Sequence, residues 1–186
     1  MNIQLIVLLV ATLLYTYVRY AIFGNINPFE MPAYLLNKSI ALMSVFSLCI
    51  GAVHYTKNNY TALRFWATTS LYCAYIHIIL SLIIFSKATY PHFFEQNLLN
   101  LTGVTLIFFG TLAAYCFWSI NNKRSAFFPQ KLLQLLAVVF VGIHLVIIGS
   151  QSWFTPATWL GGLPPISLLS FALTTITFLC FIKVNQ

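Results

Sequence analysis

The sequence predicts an all-α integral membrane protein, a single bundle of six transmembrane helices with both termini in the cytoplasm. The chain has 186 residues, of which 60% are hydrophobic and 6% are charged, whereas about a quarter of the residues in a soluble domain are charged. Its apolar stretches are about 18 to 24 residues long, which is the length that crosses a bilayer as a helix. They do not alternate polar with apolar residues, and this pattern excludes barrel strands.

Six apolar segments form the predicted bundle, and residues 1–186 form one domain. The breaks between them are polar or rich in Pro and Gly, as in FGNINPFEMP and TPATWLGGLPP, which cannot continue a helix. The first segment lacks a basic leader and a small-residue cleavage motif, so we expect a retained helix rather than a cleaved signal. The predicted spans are about 3–23, 38–55, 63–85, 98–120, 131–154 and 166–184.

The basic residues predict the orientation of the bundle. Three of the nine Lys and Arg flank the odd-numbered loops, and six flank the even-numbered loops or the C-terminus. Because cytoplasmic loops carry the excess of Lys and Arg, both termini are expected in the cytoplasm. The first group is Arg19, Lys38 and Lys87, and the second is Lys57, Arg64, Lys123, Arg124, Lys131 and Lys183.

The charge pattern argues against several classes of function. The formal net charge is +7, but the basic residues stand at the ends of apolar runs, so we expect no nucleic-acid binding. No Asp, Glu, Lys or Arg lies in the middle of a predicted span, which argues against proton-coupled transporters and ion pumps. The four cysteines lie in apolar segments without a CxxC motif, which favours packing over a redox or zinc site.

Histidines are therefore the titratable, ligand-capable side chains expected at depth. His92 lies in the third loop, within TYPHFF, where an interfacial role is favoured over a ligand role. His54 ends the second segment near the cytoplasmic headgroups, where an imidazole can stay hydrated. His77 and His144 instead lie well within the third and fifth segments.

The two central histidines are predicted to lie at one depth. The interval from Arg64 to His77 along the chain equals the interval from Lys131 to His144. At a rise of about 1.5 Å per residue, both imidazoles stand roughly 20 Å from these cytoplasmic anchors. Since the third and fifth helices run in the same direction, the two histidines can bind one object between them.

Two histidine ligands suit a haem iron better than they suit a zinc ion. Zinc is held by three or four protein ligands, whereas a haem iron with two axial imidazoles is a low-spin electron-transfer centre. Small side chains on the face of His77 are predicted to leave room for the macrocycle; they are Ser70, Cys73, Ala74 and Ser81. The alternative is that each histidine makes an interhelical hydrogen bond, which a membrane core also favours.

At these positions the chain resembles the ferric-reductase-like transmembrane domain superfamily, and most closely its bacterial haem-binding membrane subunit of the periplasmic methionine-sulfoxide reductase system. The similar features are the length, the six spans and four segments, which cover about residues 35–150. The segments are LNKSIALMSVFSLCIG, RFWATTSLYCAYIHIILSL, NNKRS and PQKLLQLLAVVFVGIHLVII.

The resemblance implies a b-type cytochrome in a bacterial inner membrane. Histidines on the third and fifth helices bind haem b in that family, so His77 and His144 are the expected ligands. Arg64 and Lys131 stand where a second haem would need histidines, so one haem is expected, near the outer face. Those two basic residues are then interfacial anchors, or they neutralise haem propionates or a quinone.

The resemblance also implies the electron partners. We expect no appended flavin or nicotinamide domain, so electrons come from a membrane quinol or a separate reductase. They leave to an acceptor protein on the outer face, and the chain is then the electron-transfer subunit of an oxidoreductase. One rival is a haem-free membrane scaffold or small-molecule carrier with the same fold. Another is a lipid-acting enzyme with His92 as base, for which the sequence offers no partner acid or nucleophile.

Overall fold

Six long helices make up most of the part of the chain that the structure describes. The computed structural model describes residues 2–24, 26, 29–122 and 128–185. Each of the six helices is long and apolar enough to cross a membrane, so the predicted all-α membrane bundle is confirmed. The helices are α1 (Asn2–Tyr17, continued by a π-helical turn, Val18–Ile22), α2 (Met31–Thr56), α3 (Tyr60–Ile84), α4 (Leu101–Asn121), α5 (Gln130–Trp153) and α6 (Ile166–Asn185).

The described residues do not test the predicted orientation. Lys123 and Arg124, which carry part of the charge asymmetry, lie outside them. The predicted cytoplasmic location of both termini therefore stays a prediction.

The helices form a closed ring of five with one helix outside it. The ring runs from α2 to α3, α4, α5 and α6 and back to α2, with a light contact between α3 and α4. The helix α1 packs against α2. In α2, 61% of the spanning window is buried, the largest share of any span. The helix α2 is therefore the central element of the bundle.

The helix α2 begins earlier than the sequence pattern suggests. It starts at Met31, about two helical turns before Lys38, where the predicted second span begins. Pro32 is tolerated in the first turn because the backbone N–H groups there have no helical partner. As a result, Asn37 and Lys38 lie inside the helix rather than at its entrance.

The connections after α1, α3 and α5 meet at one end of the bundle, called here the odd-loop end. The Thr89 hydroxyl donates to Glu30 Oε2 at 3.2 Å, and Arg19 donates to the carbonyl of Leu163. The loop after α3 contains a short antiparallel hairpin, Phe94–Glu95 with Leu98–Leu99. This hairpin occupies the predicted start of the fourth span, so α4 begins only at Leu101.

Asparagine caps start two of the helices. The Asn59 side chain accepts from the backbone N–H of Ala62 at 3.1 Å, at the first turn of α3. Asn100 accepts from the N–H of Gly103 at 2.9 Å, at the first turn of α4. These bonds satisfy helix N–H groups that have no partner within the helix. Both capped starts lie within one helical turn of the starts of the predicted spans.

Candidate functional site

His77 is held by a side chain of α2. Its Nδ1–H donates to Asn37 Oδ1 at 2.5 Å, because an amide oxygen is an acceptor only. The Ser81 hydroxyl, one turn further along α3, donates to the same oxygen at 3.3 Å. Asn37 is only 1% exposed, so the acceptor is fixed in the packed contact between α2 and α3.

His144 is held in a similar way by α4. Its Nδ1–H donates to the backbone carbonyl of Leu106 at 3.0 Å. Gly110 lies one turn beyond Leu106, and a Cβ there would be 3.1 Å from His144 Nδ1. The missing side chain at Gly110 lets the imidazole lie directly against α4.

Both imidazoles therefore have the same tautomer. A neutral histidine that donates through Nδ1 carries its lone pair on Nε2. Within the described part of the chain, the side-chain hydrogen bonds of the two rings involve Nδ1 alone. A metal-bound histidine ordinarily donates its other ring N–H to an oxygen, which fixes the ring and raises its basicity.

The two rings belong to one region of the bundle. They are close enough to interact electrostatically. Their acceptors lie at similar depth, because Asn37 is in the second turn of α2 and Leu106 is in the second turn of α4. Both helices start at the odd-loop end, so the rings stand about 8 to 9 Å along the helix axes from that end.

The donor set suits a haem. The two neutral imidazoles, on α3 and α5, are the residues that would hold a haem iron, which two histidine ligands can bind. Within residues 2–24, 26, 29–122 and 128–185, no group of three or more His, Cys, Asp or Glu is arranged to hold a metal ion. A haem iron requires no third protein ligand.

Two of the four small residues of α3 lie in the interior of the bundle. Ser70 and Cys73 are buried, and the Ser44 hydroxyl of α2 donates to the Ser70 carbonyl at 2.9 Å. Ser70 therefore takes part in the packing of α3 on α2. That the small side chains of α3 leave room for a macrocycle stays a prediction.

The structure does not bring Arg64 and Lys131 to the two histidines. Both side chains are exposed and lie near the starts of α3 and α5, at the end of the bundle opposite the odd-loop end, called here the even-loop end. The stretch of helix that separates each of them from its histidine is roughly 20 Å long. The hypothesis that they are interfacial anchors stays a prediction.

The other two histidines lie outside this region. His92 is exposed at the odd-loop end, where its ring centroid is 3.8 Å from that of Phe93. Partial burial and the nearby Lys38 ammonium lower the pKa of His92. His54 lines a cavity of about 600 Å³ between α1, α2 and α3, together with Tyr15 and Trp66. His54 Nδ1 is buried there without a hydrogen-bond partner in the described part of the chain.

Sequence reasoning missed the groups that orient the histidines. The predicted second span begins just after Asn37, although the stretch MPAYLLN is compatible with a helix. The Leu106 carbonyl carries no sequence signal at all, because every residue has a carbonyl group. Gly110, inside an apolar helix, is the one visible sign of a close approach.

The fold and the oriented histidine pair define a multi-pass helical membrane protein with a potential two-ligand centre. Neither a protein-family model nor a curated protein matches this chain. The resemblance to the ferric-reductase-like superfamily therefore rests on the short sequence segments alone.

Proposed function

We propose that the protein is a membrane b-type cytochrome that holds one haem b between His77 and His144 and relays electrons. The observation that carries this proposal is the shared hydrogen-bond pattern: each Nδ1–H is fixed by an acceptor on a neighbouring helix. This leaves the lone pair on each Nε2 available to coordinate a metal. When bound, the haem supplies a one-electron carrier.

The rival explanation assigns the histidines to helix packing alone. The two hydrogen bonds do join α3 to α2 and α5 to α4, and such bonds stabilise membrane bundles. Packing accounts for Nδ1 but gives neither Nε2 a partner in the described residues. Neither Nε2 is among the buried unpaired polar atoms of the described residues, so both are accessible to a ligand, which packing alone does not explain.

The proposed electron path runs between two partners. Donor electrons come from a membrane quinol or a separate reductase, and an acceptor protein docks at the outer face. The cavity beside His54 supports the quinol, because its remaining walls are mainly apolar and the His54 Nδ1 has no partner in the described residues. A quinone ring with an isoprenoid tail has this combination of one polar edge and a large apolar body.

Absorption spectroscopy tests the proposal. The full chain is purified in detergent from a host with ample haem, and the haem content and the reduced-minus-oxidised spectrum are measured. We expect b-type bands and one haem per chain in the unmodified protein. The bands should disappear in His77→Ala and in His144→Ala, and they should persist in the control His92→Ala.

Two results would overturn the assignment. One is a purified protein without haem, which favours the haem-free scaffold or small-molecule carrier. The other is a set of bands that survives the replacement of both histidines. Far-UV circular dichroism on each variant shows whether the helices have formed, so a loss of haem is not confused with a loss of fold.

A further inference from the structure

Lys38 is a cation held inside the bundle beside the histidine pair. It follows Asn37, the acceptor of His77, and lies in the second turn of α2. Its Nζ is 5.0 Å from the ring centroid of Tyr34 and 5.1 Å from that of Tyr90. The ammonium is thus held between two aromatic rings, an arrangement that attracts a cation through the ring quadrupoles.

The protein supplies no acidic partner for this cation among the described residues. The chain contains two acidic residues, Glu30 and Glu95. Glu30 accepts from Thr89, and neither carboxylate forms an ion pair with Lys38 in the described part of the chain. The groups that act electrostatically on Lys38 are the tyrosines Tyr20, Tyr34 and Tyr90. A buried charge is costly unless it is paired, so a negatively charged group bound beside the Lys38 ammonium would be stabilised by a charge-assisted hydrogen bond.

The position of Lys38 links it to the histidine pair. Lys38 acts electrostatically on both His77 and His144, so its charge is close to both rings. The neighbouring cation, Arg19, donates to the Leu163 carbonyl and has a buried Nε without a partner in the described residues. Because Lys38, unlike Arg19, acts electrostatically on both rings, it is the basic side chain best placed to neutralise a negative group at the odd-loop side of the pair.

We propose that Lys38 binds a carboxylate of the haem, as the counter-ion of a propionate on the odd-loop side of the His77–His144 pair. This inference rests on the proposed function. A haem carries two carboxylates, and a carboxylate in an apolar bundle needs a cation or water. Lys38 lies about 10 Å along the helix axis from the start of α2, close to the depth of the pair. Arg64 and Lys131 lie roughly 20 Å away from the pair, at the opposite end.

The test compares haem with haem dimethyl ester, which keeps the iron and the ring but lacks both carboxylates. Each compound is titrated into haem-free full-length protein, and binding is followed by absorption. Lys38→Met should weaken haem binding about tenfold, as expected for the loss of one charge-assisted contact, and should leave binding of the ester unchanged. Lys38→Arg should restore haem binding. The control Lys87→Met, in the exposed loop at the same end, should change neither.

A redox titration gives a second readout. Ferric haem carries one more positive charge than ferrous haem, so removal of a nearby cation favours the ferric state. Lys38→Met should lower the midpoint potential of the retained haem. A tenfold shift in the one-electron equilibrium corresponds to about 59 mV. Lys87→Met should not shift it.

The outcomes separate this inference from the proposed function. If the unmodified protein binds neither haem nor the ester, the proposed function itself fails. If it binds both, and Lys38→Met changes neither the preference for haem over the ester nor the midpoint potential, only the role of Lys38 is overturned. Should Lys38→Met fail to fold, equal affinity of the unmodified protein for haem and its ester would overturn that role.

Discussion

The two ends of the bundle differ in what their interiors contain. At the odd-loop side, α2, α3, α4 and α5 meet through polar groups, among them Asn37, His77 and His144. Toward the even-loop side, α4 and α5 pack through an apolar cluster of Cys116, Leu133 and Ala137. Polar groups in a membrane interior are costly unless they are paired or have a function. This contrast predicts that substitutions beside the histidine pair change ligand binding, whereas substitutions in the apolar cluster change stability.

The largest expected effect comes from Asn37→Leu, at the polar side. It removes the acceptor of His77 Nδ1, so the ring loses its fixed orientation and tautomer. Loss of such a supporting hydrogen bond typically costs about 10- to 100-fold in metal affinity. Titration of the haem-free protein with haem measures the loss. The control is Ser47→Ala on the same helix, because Ser47 Oγ has no partner in the described residues. Equal haem affinity in both variants would contradict the role of Asn37.

The apolar side should respond in stability rather than in haem chemistry. Ala137 is fully buried beside Cys116 and Leu133, so Ala137→Leu overpacks that cluster. The expected cost is about 1 to 3 kcal/mol of folding free energy. Thermal unfolding in detergent measures it, while the midpoint potential of retained haem should stay at the unmodified value. A shifted potential without loss of stability would break the division between the two ends.

A smaller effect is expected where α4 contacts His144. In Gly110→Ala the new Cβ would lie 3.1 Å from His144 Nδ1, so the imidazole must move slightly. We expect haem affinity to fall by a few-fold, up to about tenfold, since overpacking costs about 1 kcal/mol or more. The matched control is Gly142→Ala on α5, where the nearest atom, Thr174 Cγ2, would be 3.9 Å away. Similar losses in the two variants would argue against a specific contact at Gly110.

The smallest effect is a titration shift at His92. Burial and the Lys38 charge lower the pKa of His92, so the folded protein binds its proton less readily than the unfolded chain. The contribution of His92 to folding stability is then full above its unfolded pKa of about 6.5. It declines as the pH falls from that value toward the lower pKa of the folded protein. Lys38→Met should raise the His92 pKa, which NMR titration of the imidazole measures. An unchanged pKa would show that the Lys38 charge does not reach the loop.

The sequence predicted the framework of the site better than its details. The six spans follow from hydropathy, a local property, and the ends differ mainly where Met31 starts α2 early and the hairpin delays α4. Depth along the helices and the family resemblance single out His77 and His144, and the structure places their acceptors at similar depth. The positions of Arg64 and Lys131 do not support a role beside the histidines, because a helical rise of roughly 20 Å separates each basic residue from the histidine on its helix.

By itself, the sequence determined that this is a helical membrane protein and at what height its central histidines stand. Length, hydropathy and rise per residue act along one chain segment at a time, so they can be read without knowing which helices are neighbours. Only the tertiary structure decided that His77 faces Asn37, that His144 faces the Leu106 carbonyl, and that Lys38 lies between tyrosine rings. Those contacts join residues distant in sequence, and they depend on how the ring of helices closes.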